Sequence, residues 1–103
     1  MSHVRRPSAA ELQNLINTEK RPLLLAFSAE WCAPCKVSAP HVETFATKHP
    51  EVVVAKLDVD ELQAVAARFL VRSVPTFILL REGAVHGMRT GAVTAATLER
   101  LLD

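Results

Sequence analysis

The two cysteines of the chain lie three positions apart, in the segment Cys32-Ala33-Pro34-Cys35. A disulfide between them closes a very short loop, and in the chain-entropy model short loops stabilise a fold least. A structural role is therefore a weak explanation for the pair. Cysteines at this spacing also serve as redox-active dithiols or as part of a metal site. The redox interpretation is favoured, and the other two remain as alternatives.

The position of the pair suits thiol chemistry. Cys32 stands between an apolar run typical of a buried strand and the helix that follows. The free amides and partial positive charge of a helix N-terminus favour a thiolate, which is the attacking form of cysteine. Cys35 lies one helical turn on, within reach to resolve a mixed disulfide. Pro34 fits a helix entry, Lys36 adds a positive charge, and Trp31 offers a flat apolar surface beside the attacking sulfur.

A structural zinc site is the competing interpretation of the pair. Such a site needs four ligands, and the sequence has no second cysteine pair. The histidines show no paired ligand spacing; they are His3, His41, His49 and His86. We therefore expect no metal site and no metal or organic cofactor.

Length, composition and charge narrow the class of protein. The 103 residues are half apolar and 22% charged, which predicts one domain, residues 1–103, with a real core. The net charge of +1 argues against binding nucleic acid or an anionic membrane by bulk charge. The sequence shows neither a signal-peptide pattern nor a run of about 20 apolar residues. We expect a cytoplasmic monomer, in a compartment where thiols are kept reduced.

Apolar patterning and capping residues predict the elements that position the pair. Ser8 and Glu11 form a capping-box pattern, and Asp60 and Thr94 are expected to cap later helices. Pro40 is expected to kink the helix that follows Cys32. The predicted order is a weak strand within 1–6, a helix at about 9–18, a strand at 23–27, a helix from 32 to about 49, a strand at 52–59, a helix from 61 to about 69, strands at 76–80 and 84–88, and a final helix after 94. Helices between apolar strands imply an α/β fold, with a mixed sheet flanked by helices on both faces.

The segment from Phe27 to Lys36 closely resembles the active-site segment of thioredoxins. The resemblance continues through nearly the whole chain from about residue 22. The further matching features are Pro40 in the active-site helix, 54–60 as a central strand, 71–77 as a cis-proline loop, and Glu82-Gly83 with Gly91-Ala92 as a late hairpin and turn. This resemblance implies the thioredoxin fold.

The resemblance also implies a function and a set of site residues. A thioredoxin reduces disulfides in other proteins, with Cys32 as exposed nucleophile and Cys35 as buried resolving thiol, and a reductase or other thiol donor resets it. Pro75 would be cis and would turn the backbone of Val74 toward Cys32 for pairing with substrate. The implied apolar docking surface comprises Trp31, Ala33, Pro34, Val74 and Ala92. The competing interpretations are an ordinary turn at Pro75 and a half-buried core position for Trp31.

The chain departs from the family pattern on the strand before the cysteines. Ala26 stands where thioredoxins typically carry a buried aspartate, which is thought to help remove the proton of the resolving cysteine. Lys56, the usual neighbour of that aspartate, remains and is expected to pair with Asp58 or Glu30. We therefore hypothesise that mixed disulfides resolve slowly here.

Smaller departures point to a divergent member of the family. They are Ala33 in place of a common glycine, Ser28 in place of a typical tryptophan and Ser73 in place of a common glycine. Together with Ala26 they leave one alternative function open, a thioredoxin-fold binding or adaptor module with little redox turnover.

Overall fold

Within the described residues, five strands and four helices follow one another in the predicted order. The structure is a computed structural model that describes residues 2–103, so the part of the predicted first strand that falls on Met1 lies outside the described residues. The elements are β1 (Val4–Arg5), α1 (Ala9–Thr18), β2 (Leu23–Ser28), α2 (Ala33–Lys48), β3 (Val53–Asp58), α3 (Gln63–Arg68), β4 (Thr76–Arg81), β5 (Ala84–Thr90) and α4 (Ala95–Glu99), followed by a 3₁₀ turn (Arg100–Leu102).

The strands form one mixed sheet in the order β1-β3-β2-β4-β5. The β1 and β2 strands run parallel to β3, whereas β4 runs antiparallel to both β2 and β5. In this order β2 lies at the centre, which agrees with its continuous apolar run, since a strand buried on both faces has no polar side. The mixed sheet predicted from the sequence is therefore confirmed.

Alternate residues of β2 belong to two separate cores on opposite faces of the sheet. Leu24 and Ala26 pack with Phe45 of α2 and Leu98 of α4. The intervening residues of β2 pack with Leu12 of α1 and with α3. This period-two alternation follows from strand geometry, and it confirms that helices cover both faces.

Side-chain caps at two helices agree with the sequence pattern, and a third does not. Ser8 and Thr94 each accept a hydrogen bond from the amide three residues on. The prediction that Asp60 caps a helix from Glu61 is wrong, because α3 begins at Gln63. The Asp58 carboxylate instead accepts the amides of Asp60 and Glu61, at 2.8 and 3.1 Å. Because Asp58 accepts these hydrogen bonds, the Asp60 side chain does not cap α3 and contacts another residue instead.

The last turn of α3 ends in a Schellman motif with an unfavourable residue. The Val71 amide donates to the Ala66 carbonyl and the Leu70 amide to the Ala67 carbonyl. This motif needs a left-handed residue, which is usually glycine. Here it is Leu70, with φ of 58° and a side chain that is 76% exposed.

Replacing Leu70 by asparagine is expected to stabilise the protein by about 1 kcal/mol, because asparagine tolerates the left-handed region and leucine does not. Urea unfolding measures the change. The Leu70→Ala variant is the matched control, since it removes the exposed side chain but keeps a Cβ in the unfavourable conformation. Equal gains from both variants would show that exposure of the leucine, and not its backbone, is the cause.

His49 joins the end of α2 to α4. Its Nε2 lies 2.7 Å from a carboxylate oxygen of Glu99, and its Nδ1 lies 3.0 Å from one of Glu51. Its ring stacks on Phe45, with centroids 4.8 Å apart. The hydrogen bonds to Glu99 and Glu51 raise the pKa of His49 above its ordinary value.

This raised pKa predicts how stability depends on pH. The folded protein holds the His49 proton more tightly than the unfolded chain. The stabilisation that protonated His49 contributes is therefore fully present below pH about 6.5 and is lost as pH rises through the folded pKa. One proton limits the slope to about 1.4 kcal/mol per pH unit. We expect chemical denaturation between about pH 5 and 9 to show that the free energy of unfolding depends less steeply on pH in His49→Asn than in the wild type. The same change at His41, on the same helix, is the control and is expected to keep the wild-type slope.

Candidate active site

The cysteine pair lies where the central strand β2 passes into α2. Cys32 is the N-cap residue of α2, with extended backbone angles, and Pro34 occupies the first turn. The amide of Cys35 donates a hydrogen bond to the Cys32 sulfur over 3.2 Å. The two sulfurs form a disulfide, with the Cα atoms 5.3 Å apart. The Cys32 sulfur therefore takes the place that a capping oxygen fills in other helices, the position that best stabilises negative charge.

Both cysteines are buried in this oxidised form. Cys32 is 3% exposed and Cys35 is 7% exposed. The expectation that Cys32 is the exposed member of the pair is therefore wrong for this state, whereas the burial of Cys35 is confirmed. Cys32 is covered because a distant loop packs over its sulfur.

That loop comes from the approach to β4. The Cys32 sulfur lies 3.6 Å from the carbonyl oxygen of Val74, and the Val74–Pro75 peptide bond is cis, as the family resemblance implied. Pro75 itself is buried. Its carbonyl accepts the amide of Gly91 over 2.9 Å, which brings the turn containing Ala92 to the same loop. Val74, Pro75 and Ala92 are thus linked to the cysteine pair.

Trp31 projects beside the pair and is 70% exposed. Its Nε1 donates to the Asp60 carboxylate over 2.9 Å. An exposed position excludes the half-buried core role for this tryptophan. Asp60 therefore belongs to the site. The sequence did not indicate this role, because Asp60 was predicted to be a helix cap.

The other expected docking residues lie close to the cysteines along the chain. Ala33 and Pro34 are exposed in the first turn of α2, Ala92 is exposed, and Val74 is half-buried. Lys36 is also exposed and follows directly after Cys35.

A model of the family described as thioredoxin matches residues 3–103. The chain belongs to the thioredoxin family. Members of this family are thiol-disulfide oxidoreductases, and this chain is accordingly a protein-disulfide reductase that acts by dithiol–disulfide exchange.

Individual thioredoxins are similar over most of the chain. Thioredoxin H5 of Arabidopsis thaliana is 41% identical over 86 residues, which are 84% of this chain and 73% of the relative. A thioredoxin of Haemophilus influenzae is 35% identical over 104 residues, covering 100% of this chain and 97% of the relative. The crystal structure of thioredoxin NaTrxh from Nicotiana alata superimposes with a TM-score of 0.90 at 32% identity, over 98% of this chain and 91% of that one.

Ala26, which replaces the usual thioredoxin aspartate, leaves open space beneath the pair. Ala26 lies opposite Lys56 in the register of β2 and β3, and both residues line a cavity of about 90 Å³ together with Cys35. Arg6 and Glu43 also line this cavity, and the sequence offered no signal for either, because their approach depends on tertiary packing.

Lys56 does not have the partner expected for it. In the described part of the chain, no ion pair joins Lys56 to Asp58 or Glu30, so that prediction is wrong. Asp58 instead accepts hydrogen bonds from two turn amides on one of its carboxylate oxygens. Lys56 is half-buried and is left facing the cavity beside Cys35.

Within residues 2–103 the structure contains no group of three or more histidine, cysteine, aspartate or glutamate residues arranged to hold a metal ion. None of the helices in this range has the length and apolar character needed to cross a membrane.

Proposed function

We propose that Cys32 is the nucleophile of this thioredoxin and Cys35 its resolving thiol. The hydrogen bond from the Cys35 amide to the Cys32 sulfur carries this assignment. A sulfur at a helix N-cap receives both this bond and the positive end of the helix dipole, and both stabilise a thiolate. Cys35, one turn further into α2, lacks that end position.

The proposed reaction proceeds in two exchange steps. The Cys32 thiolate attacks one sulfur of a substrate disulfide, forms a mixed disulfide and releases the other substrate sulfur as a thiolate. Cys35 then loses its proton and attacks the Cys32 sulfur, which releases the second substrate thiolate. The substrate gains two electrons and, on protonation, two protons. The protein is left with the Cys32–Cys35 disulfide seen in the structure.

Substrates are proposed to dock in extended form across the loop that faces Cys32. The Val74 carbonyl already lies 3.6 Å from the Cys32 sulfur, so a backbone paired with Val74 would bring its own disulfide to that sulfur. Pro75 shapes this edge, and apolar contact would come from Trp31, Ala33, Pro34 and Ala92. Exposure of Trp31 supports this, since an aromatic held by Asp60 offers apolar area at little entropic cost.

Two lysines are proposed to stabilise the thiolate forms of the cysteines by their positive charge. Lys36 places an exposed cation one residue after Cys35, in the first turn of α2. Lys56 lies in the same cavity as Cys35 and would stabilise its thiolate by charge when that thiol ionises.

We propose a cytoplasmic monomer that passes electrons to disulfide-containing proteins and is reset by a flavoprotein reductase or a small thiol. A reduced thiol pool suits a disulfide that must be reopened in every cycle.

The redox potential of the Cys32–Cys35 couple tests the direction of the reaction. Equilibration with glutathione or dithiothreitol buffers, read by mass after alkylation, is expected to place it near the about −270 mV of a reducing thioredoxin. A value near the about −120 mV of a strong oxidant such as DsbA would contradict the assignment as a reductase.

A further inference from the structure

Two polar side chains are buried within residues 2–103, and each forms a hydrogen bond with a segment proposed to dock substrate. Ser38 of α2 is 1% exposed and Thr76 of β4 is 2% exposed. The Thr76 hydroxyl donates to the Ser73 carbonyl over 2.7 Å, within the loop that contains Val74. Because a buried hydroxyl is costly unless it is hydrogen-bonded, the partner of each one indicates what it holds in place.

The partner of Ser38 lies in the turn between β5 and α4. The Ser38 Oγ accepts the amide of Val93 over 3.0 Å, although the two residues are 55 positions apart. Serine in a helix often bonds to a carbonyl of its own helix, whereas this bond joins α2 to another segment. Val93 is buried and lies outside the helices and strands. Its amide therefore needs an acceptor from elsewhere in the fold, and Ser38 supplies one.

Two hydrogen bonds fix the turn formed by Gly91, Ala92 and Val93, which we call the docking turn. At its start the Gly91 amide donates to the Pro75 carbonyl over 2.9 Å. At its end the Val93 amide donates to Ser38. Ala92, which is proposed to contact substrate, lies between these two bonds and is exposed. The docking turn is thus tied both to the cis-proline loop and to the helix that carries the cysteines.

We propose that Ser38 is a positioning residue for substrate docking, which holds Val93 and thereby fixes Ala92 against the extended segment of a protein substrate. Ser38 lies three residues after Cys35, about one turn along α2, so the helix that carries the sulfurs also sets the place of the docking turn. A contact surface that is already ordered binds more tightly, because binding need not order it. This inference rests on the proposed docking of substrates across this face and names a residue that keeps the face in shape.

The first test is Ser38→Ala, which removes the acceptor and leaves the buried Val93 amide without a partner. The KM for insulin is expected to rise about fivefold with kcat unchanged, because the docking turn loosens while the cysteines keep their places. Both constants are measured from insulin reduction at a fixed concentration of dithiothreitol. A fall in kcat at constant KM would overturn the proposal and show that Ser38 acts on Cys35 instead. Wild-type values of both constants would also overturn it.

Two further variants separate positioning from a general loss of stability. Ser38→Thr keeps the hydroxyl, its added methyl group has room in the adjoining cavity of about 90 Å³, and it is expected to restore the wild-type KM. Val52→Ala is the matched control, because Val52 is buried in the core that contains Val93. It is expected to lower stability and keep the wild-type KM. A rise in KM in Val52→Ala equal to that in Ser38→Ala would overturn the proposal, as would a KM for Ser38→Thr equal to that of Ser38→Ala.

Ala92→Asp tests the docking surface itself. It is expected to raise the KM for insulin, because a carboxylate replaces an apolar contact. A raised KM in Ala92→Asp together with a wild-type KM in Ser38→Ala would overturn the role of Ser38 and leave the docking surface in place. A wild-type KM in both variants would overturn both proposals.

Hydrogen exchange in the wild-type protein tests the bond to Val93 without any substitution, so it decides the question if Ser38→Ala fails to fold. The Val93 amide is expected to exchange at least about a hundredfold more slowly than in an unfolded chain, because exchange requires the docking turn to open. Exchange of this amide at the rate of an unfolded chain would mean that Ser38 does not hold the turn, and would overturn the proposal.

Discussion

Cys32→Ser is expected to lower insulin disulfide reduction to the background rate of the dithiothreitol donor alone. A serine hydroxyl at the same N-cap stays protonated near neutral pH, so it supplies no counterpart of the thiolate that opens a disulfide. The capping geometry itself is retained, because serine is a good N-cap residue and can accept the Cys35 amide. Loss of activity in a folded variant would therefore report the chemistry of the sulfur and not the stability of α2.

Cys35→Ser is the matched variant for this experiment. It keeps the attacking sulfur but removes the resolving one, so it is expected to accumulate a mixed disulfide between Cys32 and the substrate. Intact mass analysis before and after reduction detects that adduct. If Cys32→Ser formed the adduct and Cys35→Ser did not, the two roles would be reversed. Equal rates at the background level in the wild type and in Cys32→Ser would instead favour the binding or adaptor alternative.

Local sequence predicted the elements whose determinants are themselves local. Capping by Ser8 and Thr94 depends on residues three positions away, and both caps are present. The apolar run of β2 identified the central strand, because burial on both faces leaves no polar alternation. Cys32 at a helix N-terminus followed from its place between that strand and the next helical pattern.

Features that depend on distant contacts were missed or assigned wrongly. The sequence predicts a helix cap at Asp60, but this carboxylate accepts the indole N–H of Trp31, which lies 29 positions before it, while Asp58 accepts the turn amides. Burial of Cys32 depends on Val74, 42 positions away. The cavity beneath Cys35 needs Arg6 and Glu43 to approach from other elements, and sequence periodicity carries no information about such a meeting.

Outside the cysteine pair, the cavity makes Ala26 the position at which one substitution is expected to change the rate of the resolution step most. Ala26→Asp would place a carboxylate in the space lined by Cys35 and Lys56. That carboxylate has two opposed effects, since its negative charge raises the pKa of the neighbouring thiol, while as a general base it removes the thiol proton during attack. Base assistance is worth about 10²–10⁴-fold, so the resolution step is expected to become faster on balance.

The resolution step can be timed with the aromatic disulfide reagent DTNB under single turnover. Attack by Cys32 releases one coloured thiolate, and attack by Cys35 on the resulting mixed disulfide releases the second. Ala26→Asp is expected to accelerate the second release, and the gain should grow as pH rises through the pKa of the new carboxyl, because only its ionised form accepts a proton.

Ala26→Asn separates base chemistry from filling of the cavity. The amide has nearly the same shape as the carboxyl group but cannot accept the proton, so no comparable acceleration is expected from this variant. Equal acceleration by Asn and Asp would assign the effect to packing around Cys35. A second release that stays at the wild-type rate in Ala26→Asp across neutral pH would mean that deprotonation of Cys35 does not limit resolution, and that Lys56 and the open cavity already allow this thiol to ionise without a positioned base.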